Sequence, residues 1–131
     1  MNPEMTDVTS DSGNGVLRNR FQQKVEVPIK KLHVTELGVD VWFHEMTAGQ
    51  RSRFEKQFEH TNGTKSKRKL REIRERLIIE TCCDEHGARV FSEDDVELLS
   101  EQPITMVERM VTVAQDVSGF NTDEIDDLVK N

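Results

Sequence analysis

The sequence predicts an α+β fold, a small antiparallel N-terminal sheet of two or three strands followed by four to five helices. Three observations predict it. Between Val39 and Glu45 the residues alternate, with Val41 and Phe43 on one side and Trp42 and His44 on the other, which is the period of a half-buried strand. At Thr47 the pattern changes: Thr47 and Gln50 have capping-box spacing, and Phe54 and Phe58 follow at i, i+4 as a helix stripe. Beyond that point the longer apolar stripes recur at helical spacing.

Taken in order, residues 1–22 are rich in Asn, Asp, Ser, Thr and Gly, with scattered apolar residues. Such a segment buries too little surface to offset its ordering entropy, so a disordered tail is expected there and a single domain over 23–131. Val25, Val27 and Ile29 alternate with Lys24, Glu26 and Pro28, a strand that Pro28 places at an edge or a strand end. Leu32 and Val34 shift the parity, which predicts a break near Lys30-Lys31. Glu36-Leu37-Gly38 reads as a turn into the strand that ends at Glu45. A first helix is expected from Ala48 to His60, stopped by Asn62-Gly63. A second runs from Ser66 to Cys82 on Leu70, Ile73, Leu77 and Ile78. Asp84 to Gly87 is a turn, and Arg89-Val90-Phe91 is extended. Ser92 caps a third helix with Asp95 three residues on, and Glu93, Asp94 and Asp95 suit its positive end. Pro103 opens a fourth helix that stops at Ser118-Gly119. Thr122 caps a short fifth one bearing Ile125, Leu128 and Val129.

Composition narrows the function classes. Of 131 residues, 34% are hydrophobic and 33% charged, little apolar material for the size, so a modest core or one completed by a partner is expected. The net charge of −7 argues against unspecific attraction to nucleic acid or anionic membranes. No run approaches the roughly 20 apolar residues that span a bilayer, and no basic-then-apolar leader opens the chain. The cysteines, Cys82 and Cys83, are adjacent, which favours a reducing cytoplasm over a disulfide framework.

Chemistry has few carriers. Seven of the twelve residues from Lys65 to Arg76 are basic. Lys65, Lys67, Arg68 and Arg71 are therefore a candidate basic surface, as in a small regulatory module that binds nucleic acid through helix 65–76. Against it, Arg68–Glu72, Arg71–Glu75 and Glu72–Arg76 are spaced as i, i+4 ion pairs of a solvated helix, and no aromatics interleave. Cys82, Cys83, Asp84 and His86 include metal-ligand types, but no second Cys/His pair completes a zinc pattern. Nothing orients Cys83 and His86 as nucleophile and base. No catalytic residue, metal ligand or cofactor is therefore expected. The fourth helix has two apolar stripes: Ile104, Val107, Val111, Ala114 and Ser118, then Met106, Met110, Val113 and Val117. The second is either core or a candidate partner-binding surface, for which methionines are suited.

The order of these landmarks resembles the tail assembly chaperones of long-tailed bacteriophages and prophages. In that family a strand ends in a Glu-Leu-Thr-like triplet, here Glu45-Met46-Thr47. A helix with small residues, Arg and Phe follows, here Ala48, Gly49, Arg51, Arg53 and Phe54. A Cys-Asp-x-x-Gly turn comes next, here Cys83 to Gly87, leading into Val-Phe and an acidic helix start, here Val90 to Asp95. An apolar helix, a Ser-Gly break and a short acidic helix close the chain. The resemblance spans about Val25 to Asn131. It departs from the family in a longer, more basic stretch between Pro28 and Gly38. It implies a non-enzymatic factor, matching the short form of the chaperone pair, that self-associates and binds the tape measure protein in the host cytoplasm. It further implies recruitment of tail tube protein and absence from the finished virion.

Overall fold

The computed structural model describes residues 10–59 and 69–120. Within them lie a three-stranded antiparallel sheet of order β1-β2-β3 and a set of helices, the α+β class expected. Strand β1 is Ile29–Val34, β2 is Val39–His44, and β3 is the two-residue Cys82–Cys83. The helices are α1 (Ser10–Gln22), α2 (Ala48–Lys56), α3 (Ile73–Thr81), α4 (Val96–Ser100, entered through a 3-10 turn at Glu93–Asp95) and α5 (Ile104–Ser118).

The hairpin register runs from Ile29 opposite His44 to Val34 opposite Val39. Paired residues share a face of the sheet. Lys30, Leu32, Val34, Val41 and Phe43 therefore point inward, and Ile29, Lys31, His33, Asp40, Trp42 and His44 point outward. No break occurs at Lys30-Lys31. Lys30 keeps its stem on the inner face and carries its ammonium out to Asp116 of α5, 3.5 Å away, so a charged residue is tolerated at an inward position. The strand starts at Ile29 and not at Val25. Pro28 has no N–H to donate, although its carbonyl still accepts the Glu45 amide at 2.9 Å. Gly38, with φ of 65°, closes the hairpin, and Arg109 of α5 grips Glu36 at its tip.

Thr47 does what its position predicts. Its hydroxyl accepts the Gln50 amide at 3.2 Å and the Gln50 side chain accepts the Thr47 amide at 2.8 Å. The same reciprocal cap forms at Ser92 and Asp95. The helix expected from Ser66 to Cys82 is interrupted at Glu72 and ends at Thr81. Cys82 then turns extended, φ −72° and ψ 132°, and pairs with Phe43, while Cys83 pairs with Trp42. The ends expected around Asn62-Gly63 and Ser66, and the last helix from Thr122, lie outside the described residues.

The core sits between the inner sheet face and helices α3 and α5. Phe43, Phe54, Leu77, Ile78 and Cys82 are fully buried in it. Gly119 ends α5 in the left-handed region at φ 76°, a conformation open to glycine at low cost. That reversal returns Phe120 to α2, where it meets Phe54 edge-on at 5.6 Å; Phe58 meets the same ring at 5.0 Å. The Arg51 guanidinium lies 3.9 Å from the centre of the Phe120 ring.

Of the segment expected as a tail, residues 10–22 are helical. Val16, Leu17 and Phe21 give that stretch a short apolar stripe, enough to pattern one helix but not to bury it. Every residue from 14 to 22 is exposed.

Candidate functional site

Pro103 and Gly119 bound α5, and its length and amphipathic pattern make it the main support of the sheet. Met106 and Met110, expected as candidate partner-binding residues, are 3% and 4% exposed and belong to the core. The reason is the flanking architecture: α3 and both long strands pack on α5, so two stripes of the helix are needed to face two different neighbours. Val113 and Val117 are half-buried and lean on the same cluster. The outward side of α5 is mostly polar, with Glu108, Arg109, Thr112 and Asp116 exposed beside Ile104.

The candidate basic surface is only partly placed. Arg71 is exposed, and Lys65, Lys67 and Arg68 lie outside the described residues. Of the pairs expected by spacing, Glu72–Arg76 forms at 2.9 Å, and Arg76 also donates to Gln57 of the segment after α2 at 3.0 Å. Arg76 is thus a tie between helices.

Cys82 and Cys83 are both buried and carry free thiols. Burial, reinforced by the neighbouring Cys83, pushes the Cys82 thiol up to about 12. Burial, with Asp84 adding to it, raises the Cys83 thiol too. A nucleophile needs the opposite shift. His86, the nearest imidazole in sequence, is exposed and pairs with Glu85 at 3.3 Å. Asp84 is occupied in shaping the turn. Its carboxylate accepts the amides of His86 at 2.8 Å and Ala88 at 2.9 Å, and these hydrogen bonds, led by Ala88, hold its pKa below the ordinary value. Among the described residues no three His, Cys, Asp or Glu side chains gather as a metal site.

The surface feature that sequence reasoning missed lies at the other end of the sheet. The extended residues 24–28, the start of β1, the end of β2 and the 85–87 turn enclose a groove of about 810 Å³. Val25, Val27 and Ile29 supply apolar lining, and Lys24, Glu26, Glu85 and His44 supply polar lining. The signal was in the sequence as the alternation of Val25, Val27 and Ile29. That alternation predicts a strand, whereas Val25 stands 80% exposed outside the ladder. The groove opens onto the outward sheet face, where Ile29 and His44 are paired and Trp42 lies two residues from His44 on the same side.

No family model matches the chain, and no curated protein matches its sequence. Among solved structures, the chain is similar to the tail assembly chaperone of bacteriophage HK97. The likeness has 26% sequence identity and a TM-score of 0.50, covering 70% of this chain and 85% of that one. The resemblance read from the Thr47, Cys83–Gly87 and Ser118-Gly119 landmarks is therefore matched by the three-dimensional arrangement.

Proposed function

We propose that the protein is a phage tail assembly chaperone, a non-enzymatic factor of the host cytoplasm that self-associates, binds the tape measure protein and brings it together with tail tube subunits. The observation that carries this reading is the likeness to the HK97 chaperone across most of both chains, in sequence as well as in fold. The physical character of the surface supports it. The thiols are buried and shifted away from reactivity. Large apolar side chains nonetheless stand exposed, as an adaptable protein-binding surface requires.

Co-expression with the tape measure protein of the same genome tests the reading. The tape measure protein, a long aggregation-prone rod, should move from the pellet to the soluble fraction and co-purify with the chain. Equal aggregation with and without the chain refutes the proposal. A basic-helix nucleic-acid module is disfavoured by the overall charge of −7.

A further inference from the structure

The outward face of the sheet carries a row of side chains that the fold brings together from distant parts of the chain. Lys31 pairs with Trp42, Trp42 with Cys83, and Cys83 with Arg89. Paired residues share a face, so the four stand side by side across the sheet, about 4.8 Å apart from strand to strand. Lys31 and Arg89, at the two ends, are exposed, and Trp42 is half-buried. Cys83 is buried and forms the floor between them. The row is therefore an indole shelf with a cation at either end, the ends about 14 Å apart. Both helices that pack on the sheet, α3 and α5, lie on its inner face.

Among the described residues neither Lys31 nor Arg89 has a carboxylate partner; Arg89 donates its Nε to the Phe91 carbonyl at 2.8 Å. Asp40, the acid on the same face, is held by His33 at 2.7 Å. In the adjoining turn Asp84 accepts the amides of His86 and Ala88, and Glu85 pairs with His86. With two cations against Asp40 and its histidines neutral, the face is positive within a chain of net charge −7. Its shape suits an extended segment with acid, apolar and acid residues at alternate positions. In such a segment the two carboxylates stand about 13–14 Å apart on one side, with the apolar side chain between them. Three stretches of the chain have that pattern: Glu80, Cys82 and Asp84; Glu97, Leu99 and Glu101; Asp123, Ile125 and Asp127. Cys82 and Leu99 are buried in the core, which leaves the third.

We propose that the acidic segment 123–127 of the same chain lies across this row, with Asp123 on Lys31, Ile125 over Trp42 and Asp127 on Arg89, as an intramolecular cover of the open sheet face. Reach allows it. Asp116, four residues before Phe120, pairs with Lys30, so the end of α5 already stands beside the neighbour of Lys31. Residues 121–127 span at most about 24 Å when extended, enough to pass round the edge strand β1 from the inner face to the outer. Charge favours it. Residues 121–131 carry four acids and one lysine, opposite in sign to the face. The order of contacts follows from the path, since Asp123 comes first after Phe120 and Lys31 is the cation on the edge strand. Any ligand of this face then has to displace the segment. The inference stands independently of the chaperone reading.

Acrylamide quenching of Trp42, the single tryptophan, reads the cover in the full chain. Asp123→Lys with Asp127→Lys should raise the quenching and shift the emission to the red, and so should Ile125→Ser. Wild-type quenching should also rise at about 1 M salt, where the Debye length falls to about 3 Å. Lys31→Glu with Arg89→Glu should match the variant of the acidic segment, and all four reversals together should restore wild-type protection. Each single charge reversal should lower the closed-to-open ratio by up to about 5-fold, the range of exposed ion pairs. Circular dichroism monitors the body. Should Arg89→Glu disturb it through the lost bond to Phe91, Lys31→Glu with Asp123→Lys tests the same rescue at one end of the row. Quenching that is equal in the wild type and in the variants of residues 123–127 overturns the cover. Protection that the combined reversals do not restore overturns the pairing. Protection that rises with protein concentration overturns the intramolecular contact and assigns the row to the acidic segment of another copy.

Discussion

Replacing Met110 by glutamate should unfold the domain, although its place in a methionine-bearing stripe first suggested a surface variant. Met110 is 4% exposed in the face of α5 that helps close the core. Withdrawing it loses about 1.5–3 kcal/mol of burial. Holding an unpaired carboxylate in its place adds several kcal/mol of desolvation. The sum, at least about 5 kcal/mol, reaches the lower end of the total stability of a domain, about 5–15 kcal/mol. Two companions calibrate the reasoning. Met110→Leu keeps the volume and should cost under about 1.5 kcal/mol. Met110→Ala should cost about 2–5 kcal/mol, which at a urea slope of about 1–3 kcal/mol/M lowers the midpoint by roughly 1–2 M. Far-UV circular dichroism against urea is the assay. Acidification adds a sign check. The introduced carboxyl has a folded pKa above its unfolded value of about 4.3. Its penalty is therefore full above the folded pKa and disappears as the pH falls to the unfolded one. A cooperative transition for Met110→Glu at the wild-type midpoint would refute the placement of this stripe in the core. By contrast Val113→Glu, at a half-buried position from which a carboxylate can reach water, should remain folded.

The glycines, the Thr47 cap and the thiols give further outcomes. Gly119→Ala meets no atom within 4 Å but must adopt φ 76°, so it should cost about 1–2 kcal/mol by urea titration, whereas Gly15→Ala, in ordinary helical backbone and open space, should raise the helicity of α1. Thr47→Ala removes one half of a reciprocal cap and should cost about 1 kcal/mol, lowering the melting temperature by roughly 4 °C, as scanning calorimetry would show. Neither cysteine should react with a thiol reagent in the native state at pH 8, and both should react in denaturant. The stability held by the neutral Cys82 thiol is present below the unfolded thiol pKa of about 8.5 and is lost as the pH rises toward about 12.

Much of the fold was readable because it rests on local chemistry. The caps at Thr47 and Ser92 and the stop at Gly119 each need residues within one turn of each other, and such spacing is printed in the sequence. What escaped was long-range. Two residues of β3 hold no periodicity, and Cys82 leaves the helix because Phe43, far back in the chain, offers it a pairing edge. Lys30 reads as a strand breaker until Asp116 is placed opposite its ammonium. The two stripes of α5 could be counted but not allocated, since only the packing of α3 and the sheet decides that Met106 and Met110 face inward. The groove was missed for the opposite reason. Val25 and Val27 have the alternation of a paired strand, but Pro28 separates them from the ladder and leaves their apolar faces unclaimed.

The return of Phe120 onto Phe54 and Arg51 has a consequence for synthesis of the chain. Residues 48–58, which carry α2 and Phe58, are synthesised first, but one side of the aromatic pair stays bare until residue 120 has left the ribosome. A nascent chain released short of that point keeps an uncovered phenylalanine and an open core, the kind of surface that quality control recognises. Once Phe120 closes on α2, the exposed edge of the Phe54 ring is covered and Arg51 is drawn over the Phe120 ring.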